Sequence, residues 1–125
     1  MNEFHKALKR MLANGPLTAI PKRPSDQQFL LTLAAARFEL GKSYRESEVN
    51  DLLEAWLHTF CEPYGIDHVS FRRMLVDSRL ITRTKSGSAY EAAARPDLAE
   101  PLPEPAQVLE AMRVERESRK RRHAA

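Results

Sequence analysis

Two adjacent arginines, Arg72 and Arg73, are the side chains whose type and position point most directly to chemistry. A guanidinium presents a planar fork of N–H donors, which matches phosphate oxygens and the exposed edge of guanine. Both arginines lie in a segment with apolar residues at helical spacing, and we expect them to lie off its buried face. The pair therefore predicts a helix that contacts DNA, although a solvated helix surface with Arg72 paired to Asp77 or Glu48 would give the same pattern.

Other polar and basic residues extend this candidate DNA-contacting set. Three of them lie in the same helical segment or directly after it: His68, Ser70 and Arg79. Arg83 and Lys85 follow, on a segment that contains a glycine turn. Two explanations fit these two cations equally well. They could contact backbone phosphates of DNA, or their charge could protect an exposed edge strand from pairing with another chain.

Basic residues are also concentrated at both ends of the chain. Residues 1–24 and residues 116–125 each hold five Lys and Arg and a single Glu, whereas the net charge of all 125 residues is only +3. The part between the ends is therefore net acidic. The C-terminal run consists of Arg119, Lys120, Arg121 and Arg122. Such a run binds nucleic acid electrostatically, but a solubilising tail, or cations favoured by a helix dipole, would explain it equally well.

Catalysis and metal binding have little support in the sequence. The chain has four histidines and one cysteine, and the histidines lack the spacing of metal ligands. His58 precedes Cys61 by three residues, which could form a nucleophilic pair, whereas Cys61 could also pack as a small hydrophobic residue. Phosphate-binding glycine loops and hydrolase motifs do not occur. We therefore expect no enzyme, no catalytic residues, no metal and no cofactor.

The elements that must position these side chains follow from the apolar spacing and from turn residues. Helices are predicted over residues 3–13, 46–60, 68–78 and 105–122, together with a helix that Ser25 or Asp26 caps and that ends at Arg37. Asp67 is placed to cap the helix that begins at His68. Residues 42–44 could form a short strand, and residues 80–84 and 89–91 flank a glycine turn typical of a β-hairpin.

This order of elements predicts a mainly α-helical fold with a small β-hairpin. It is the winged-helix-like order, a helix-turn-helix followed by a hairpin wing, with extra N- and C-terminal helices. The predicted organisation is an N-terminal helix and linker (1–19), a winged-helix-like domain (20–94), a Pro-rich linker (95–105) and a basic C-terminal helix (106–125). The helix over 68–78 would then be the DNA reader and residues 82–90 the wing.

Four short stretches occur in a combination that resembles a known bacterial family. They are Arg37-Phe38-Glu39-Leu40-Gly41-Lys42-Ser43-Tyr44, Glu48-Val49-Asn50, Phe71-Arg72-Arg73-Met74-Leu75-Val76-Asp77 and Gly87-Ser88-Ala89-Tyr90. Over roughly residues 20–92 the chain resembles a family catalogued as a domain of unknown function. The resemblance implies a winged-helix-like module that occurs alone or fused to helix-turn-helix regulators, with a role in transcription. It does not imply an established activity.

Two functional hypotheses follow. The first is a DNA-binding transcriptional regulator whose partner is double-stranded DNA, which the basic ends favour. The second is a protein-interaction or dimerisation module of the same fold that binds itself or another protein, which the acidic middle favours. No apolar run is long enough to span a membrane, the first residues do not resemble a secretory signal, and a lone cysteine fits a reducing compartment. We therefore expect a cytoplasmic protein without a membrane partner.

Overall fold

The computed structural model describes residues 3–86, 88–93 and 102–124. Over these ranges the chain forms five helices and a three-stranded antiparallel sheet. The helices are α1 (Glu3–Met11), α2 (Pro24–Ala35), α3 (Glu46–His58), α4 (His68–Asp77) and α5 (Pro105–Ala124), and the strands are β1 (Ser43–Tyr44), β2 (Ile81–Arg83) and β3 (Tyr90–Ala92). The mainly helical fold class is confirmed, and the order of elements is compatible with a winged-helix-like arrangement. Residues 95–101 of the predicted Pro-rich linker, and Gly87 at the hairpin tip, lie outside the described residues.

Several helix boundaries form where local signals predicted them. Gly15, just after α1, has a φ of +113°, and Gly41, between α2 and β1, has a φ of +80°. A left-handed backbone is accessible to glycine at little steric cost, so Gly15 turns the chain after α1, whereas α2 already ends at Ala35 and Gly41 turns the chain before β1. The carboxylate of Asp67 accepts hydrogen bonds from the backbone N–H groups of Val69 and Ser70, at 3.4 and 3.2 Å. This confirms the predicted cap of α4.

The predicted cap of α2 by Ser25 or Asp26 is wrong. Arg23 precedes the helix, and Pro24 occupies its first position, where proline's fixed φ suits a helix start and a missing N–H costs nothing. Asp26 lies within the first turn and is buried, with its carboxylate paired to the guanidinium of Arg10 on α1. Because this partner is 16 residues away in the sequence, local spacing could not reveal it.

A hydrophobic core joins the described helices and the sheet. Its completely buried members include Leu30, Val49, Leu53, Phe71 and Leu75. The terminal helices take part in it as well, because Leu8 and Leu12 near α1 are 0% exposed and Val108 of α5 is 6% exposed. Burial of one such side chain contributes on the order of 2 kcal/mol. The N- and C-terminal helices are therefore packed parts of the fold.

β3 is the central strand of the sheet, with β1 on one side and β2 on the other. The sequence predicted the β2–β3 hairpin and a short strand at β1, but not that β1 would pair with β3. Tyr44 of β1 lies opposite Tyr90 of β3. The Tyr44 ring packs edge to face against Phe38, with ring centroids 5.1 Å apart, and its hydroxyl accepts a hydrogen bond from the backbone N–H of Glu39 at 2.9 Å. The sheet thus connects the segment before α3 to the hairpin after α4.

Candidate nucleic-acid interface

Arg72, the residue expected to lead the contact with DNA, is buried, and the prediction that it is exposed is wrong. Only 9% of the residue is exposed. Its guanidinium donates a hydrogen bond to Asn50 Oδ1 at 2.5 Å and lies 2.9 Å from a carboxylate oxygen of Glu46. It also lies 5.8 Å from the centroid of the Tyr90 ring. Because α4 packs closely against α3, Arg72 faces the contact between them, where its charge is compensated.

Arg73 is the exposed arginine of α4. It shares the outward side of the helix with Ser70 and Asp77, which lie three residues before it and four residues after it and are also exposed. No carboxylate in the described part of the chain forms an ion pair with Arg73. The Ser70 hydroxyl donates to Asp67 at 2.9 Å and so belongs to the cap of the helix, and His68 is half-buried. Arg73 is therefore the cation that α4 presents to solvent.

Three further predicted cations, Arg79, Arg83 and Lys85, follow α4 and are exposed. Arg79 has a left-handed φ of +63°. Its backbone N–H donates to the carbonyl of Val76 at 3.0 Å, so this residue ends the helix. Arg83 lies in β2, and Lys85 lies in the turn of the hairpin. Hydroxyls surround this turn, with the Ser86 and Ser88 oxygens 2.7 Å apart.

The structure therefore brings most of the predicted cations to consecutive elements. We call Arg73, Arg79, Arg83 and Lys85 the α4–wing surface. Over the ranges that the structure describes, none of the four is paired with a carboxylate. Hydroxyl donors and unpaired cations are the groups that most often contact nucleic-acid phosphates.

Charge is divided between α3 and the segment that follows it. α3 holds four carboxylates and no Lys or Arg: Glu46, Glu48, Asp51 and Glu54. Residues 68–93 instead hold five Lys and Arg and two carboxylates. The acidity of the middle of the chain, which argues against a polyanionic partner, therefore comes from residues 46–67, which include α3, and from residues 95–115, with net charges of −6 and −3. It does not belong to α4 and the hairpin.

The predicted basic tail forms the exposed end of α5. Arg119 lies 3.0 Å from Glu115, one helical turn earlier. Lys120, Arg121 and Arg122 are exposed and have no ion-pair partner among the residues described. The earlier part of α5 is different, because Arg113 there is paired with two glutamates of the same helix.

Cys61 lines a cavity of about 420 Å³ next to the start of α4, together with Leu57, His58 and Ile66. Burial raises the pKa of Cys61 to about 12. Since the thiolate is the nucleophilic form of cysteine, the thiol is unreactive at neutral pH. This favours Cys61 as a small hydrophobic residue over a nucleophile activated by His58.

Within the described residues, no group of three or more His, Cys, Asp and Glu side chains is arranged to hold a metal ion. None of the helices described there has the length and apolar character needed to cross a membrane.

The family described as uncharacterized proteins conserved in bacteria, DUF2087, matches residues 16–92. The chain belongs to this family. The DUF2087 match confirms the resemblance inferred from the sequence. It begins in the loop after α1 and ends at the last residue of β3, so it includes the α4–wing surface and leaves α1 and α5 outside. No curated protein and no solved structure matches the chain.

Sequence reasoning missed the residues that hold these elements together. Glu46 and Asn50 are four residues apart on α3, so their side chains share one face of the helix and bind Arg72 together. This spacing is a signal that could have identified them. Glu104 accepts hydrogen bonds from the Trp56 indole at 3.3 Å and from Arg37 at 3.1 Å. Its partners are 48 and 67 residues away, and no local pattern indicates them.

Proposed function

We propose that this DUF2087 protein is a DNA-binding transcriptional regulator that contacts double-stranded DNA through the α4–wing surface. The observation that carries the proposal is the presence of four exposed cations on α4, the turn after it and the hairpin, none of which forms an ion pair with a carboxylate of the described residues. In helix-turn-helix proteins the second helix of the pair enters the major groove. α4 is the second helix of the α3–α4 pair. We place this activity in the cytoplasm, where the free Cys61 would remain reduced.

The residues of the site have separate roles in this proposal. Arg72 is a positioning residue, because its buried guanidinium binds Asn50 and Glu46 of α3. Arg73 is the residue that meets the groove, where it contacts a phosphate or a guanine edge. Arg79, Arg83 and Lys85 contact backbone phosphates on either side. Ser70 and His68 contribute less, since Ser70 serves the helix cap and His68 is half-buried.

The test is a titration of labelled double-stranded genomic fragments with the purified full chain, followed by fluorescence anisotropy. Because each neutralised phosphate releases counterions, we expect affinity to fall by orders of magnitude between about 50 and 200 mM salt. The double variant Arg73→Gln/Arg79→Gln should bind more weakly, with a salt slope reduced by about two units. The matched control is Lys22→Gln/Arg23→Gln, which removes the same charge from the exposed segment before α2.

Two outcomes would overturn the proposal. The first is no binding of the wild-type chain at the lower salt concentration. The second is an equal loss of binding in the Arg73/Arg79 variant and in the control, which would show that net charge alone attracts the DNA. In either case the protein-interaction hypothesis takes its place, and assembly that is insensitive to salt would be sought by sedimentation.

A further inference from the structure

We infer that the exposed end of α5 is a second contact with the DNA backbone, so that the chain holds a duplex at two places. This inference rests on the proposed function of the α4–wing surface. It begins with the contrast between the two halves of α5. Val108 is buried, and Leu109 and Met112 are half-buried against the core. Every residue from 117 to 122 is exposed. The first half anchors the helix and the second half leaves the domain.

The contacts between α1 and α5 show where the helix leaves. His5 and Lys9 of α1 line a cavity with Val108 and Met112 of α5. Further along, Arg116 donates a hydrogen bond to the carbonyl of Ala13 at 2.9 Å. Later residues of α1 and of the loop after it therefore lie beside later residues of α5. This order shows that α1 and α5 run in the same direction. α1 ends at Met11, and α5 continues past it to Ala124. Its last eight residues extend about 12 Å beyond the Arg116 contact.

This exit point is linked to the connection between α3 and α4 through the loop after α1. The loop after Ala13 continues to Leu17, whose backbone N–H donates to the carbonyl of Phe60 at 3.1 Å. The carbonyl of Leu17 in turn accepts a hydrogen bond from the N–H of Glu62 at 2.8 Å. Glu62 belongs to the short connection from α3 to α4. The loop after α1 therefore contacts α5 at Ala13 and the connection between α3 and α4 at Leu17.

The composition of the exposed end selects the type of partner. Residues 115–123 contain no apolar side chain. A helix that binds a membrane surface needs an apolar face, and a helix that pairs with a second copy needs an apolar seam. Lys120, Arg121 and Arg122 instead present exposed positive charge, which no carboxylate of the described residues contacts as an ion pair, although Arg122 acts on Glu115 at longer range. This suits the phosphates of a duplex, which carry no sequence information and need only cations within reach.

The test uses the full chain and the variant Arg121→Gln/Arg122→Gln in the same anisotropy titration. Glutamine keeps a helix propensity close to that of arginine. We expect the salt slope of DNA binding to fall by about two units and the affinity at fixed salt to fall with it. The unfolding midpoint should not change, because these side chains pack against nothing described in the fold. The control is again Lys22→Gln/Arg23→Gln, which removes equal charge elsewhere.

The failures of the two proposals can be told apart. If the wild-type chain binds DNA and the Arg121/Arg122 variant binds as the control does, the second contact is overturned and the α4–wing surface is retained. If the wild-type chain does not bind DNA at low salt, the proposed function fails and the second contact fails with it.

Discussion

Arg72 and Arg73 are neighbours in the chain but have different environments, so their substitutions should separate stability from binding. Replacement of Arg72 by Met leaves Asn50 and Glu46 without their shared donor. We expect the free energy of unfolding to fall by about 1–3 kcal/mol. Replacement of Arg73 by Met removes an exposed cation and should change stability by no more than about 0.5 kcal/mol. Urea denaturation followed by the fluorescence of Trp56 measures both. Equal stability of the two variants would contradict the structural role of Arg72.

Asp67 supports a prediction about pH. Hydrogen bonds from the Ser70 side chain and backbone hold the pKa of Asp67 below its ordinary value of 3.8. Because the folded-state pKa is the lower one, the carboxylate stabilises the fold above the ordinary value of 3.8, and this stabilisation is lost as the pH falls through the lowered pKa. Asp67→Asn keeps a good capping residue that does not titrate.

The two Asp67 variants give the measurement. At neutral pH, Asp67→Ala should lower the free energy of unfolding by about 1 kcal/mol, and Asp67→Asn by much less. As the pH falls below the ordinary pKa of an aspartate and through the lowered pKa of Asp67, the wild-type chain should lose stability relative to Asp67→Asn. Parallel curves for the two proteins from neutral pH into strong acid would show that the cap does not depend on the charge of Asp67.

Asp67 and Arg72 together show which contacts local sequence can predict and which it cannot. The Asp67 cap was predicted correctly because its partners are the next few N–H groups along the chain. The exposure of Arg72 was not, because it depends on how closely α4 packs against α3 and on two side chains 22 and 26 positions earlier. Helical spacing places a side chain on a face of its own helix. It does not show whether another helix covers that face.

Among the elements, the hairpin can be tested separately from α4. The variant Arg83→Gln/Lys85→Gln removes the cations of β2 and the turn without disturbing the pairing of Tyr90 with Tyr44. We expect the salt slope of DNA binding to fall by about two units while discrimination between sequences is retained. Anisotropy titrations of the wild-type chain and the variant measure the salt slope, and a site-selection experiment with the same two proteins measures the sequence preference. A change in the preferred sequence would instead place base contacts on the hairpin.

The segment before α5 is held to the domain by Glu104. Its carboxylate accepts hydrogen bonds from Trp56 and Arg37, and the chain contains no other tryptophan. We expect Glu104→Ala to lower the free energy of unfolding by about 1 kcal/mol and to shift the emission of Trp56 to the red. The control is Glu110→Ala, which removes an exposed glutamate of the following helix, α5, and should leave the spectrum unchanged. An unchanged spectrum in both variants would mean that Glu104 does not fix this segment.

For the molecule as a whole, the family match and the packed core begin at different residues of the chain. The match begins at residue 16, whereas Leu8 and Leu12 before it are completely buried. We expect Leu8→Ala to lower the free energy of unfolding by about 2–5 kcal/mol, the usual result of a cavity in a core. Thermal unfolding of the full chain measures it. A loss below about 0.5 kcal/mol, typical of surface positions, would show that α1 is dispensable for the fold.

The fold class was predictable from the sequence because it depends on the period of apolar residues and on turn residues such as Gly15 and Gly41. The place of β1 in the sheet and the packing of α5 along α1 were not predictable in this way. Both depend on contacts between segments separated by tens of residues, such as Tyr44 with Tyr90 and Arg116 with Ala13. The candidate site was only partly predictable. Its exposed cations were identified from the sequence, whereas Arg72 was expected to be exposed and is buried.

The division of charge between α3 and the α4–wing surface has a consequence for the speed of binding. Four carboxylates on α3 and the cations on the neighbouring elements place opposite charges side by side. On the proposed function, the α3 carboxylates repel the same phosphates that the cations attract. Neutralising Asp51 and Glu54 by amides should therefore speed association at low salt, although neither residue belongs to the proposed contact. The rate of dissociation should change much less, and stopped-flow mixing separates the two.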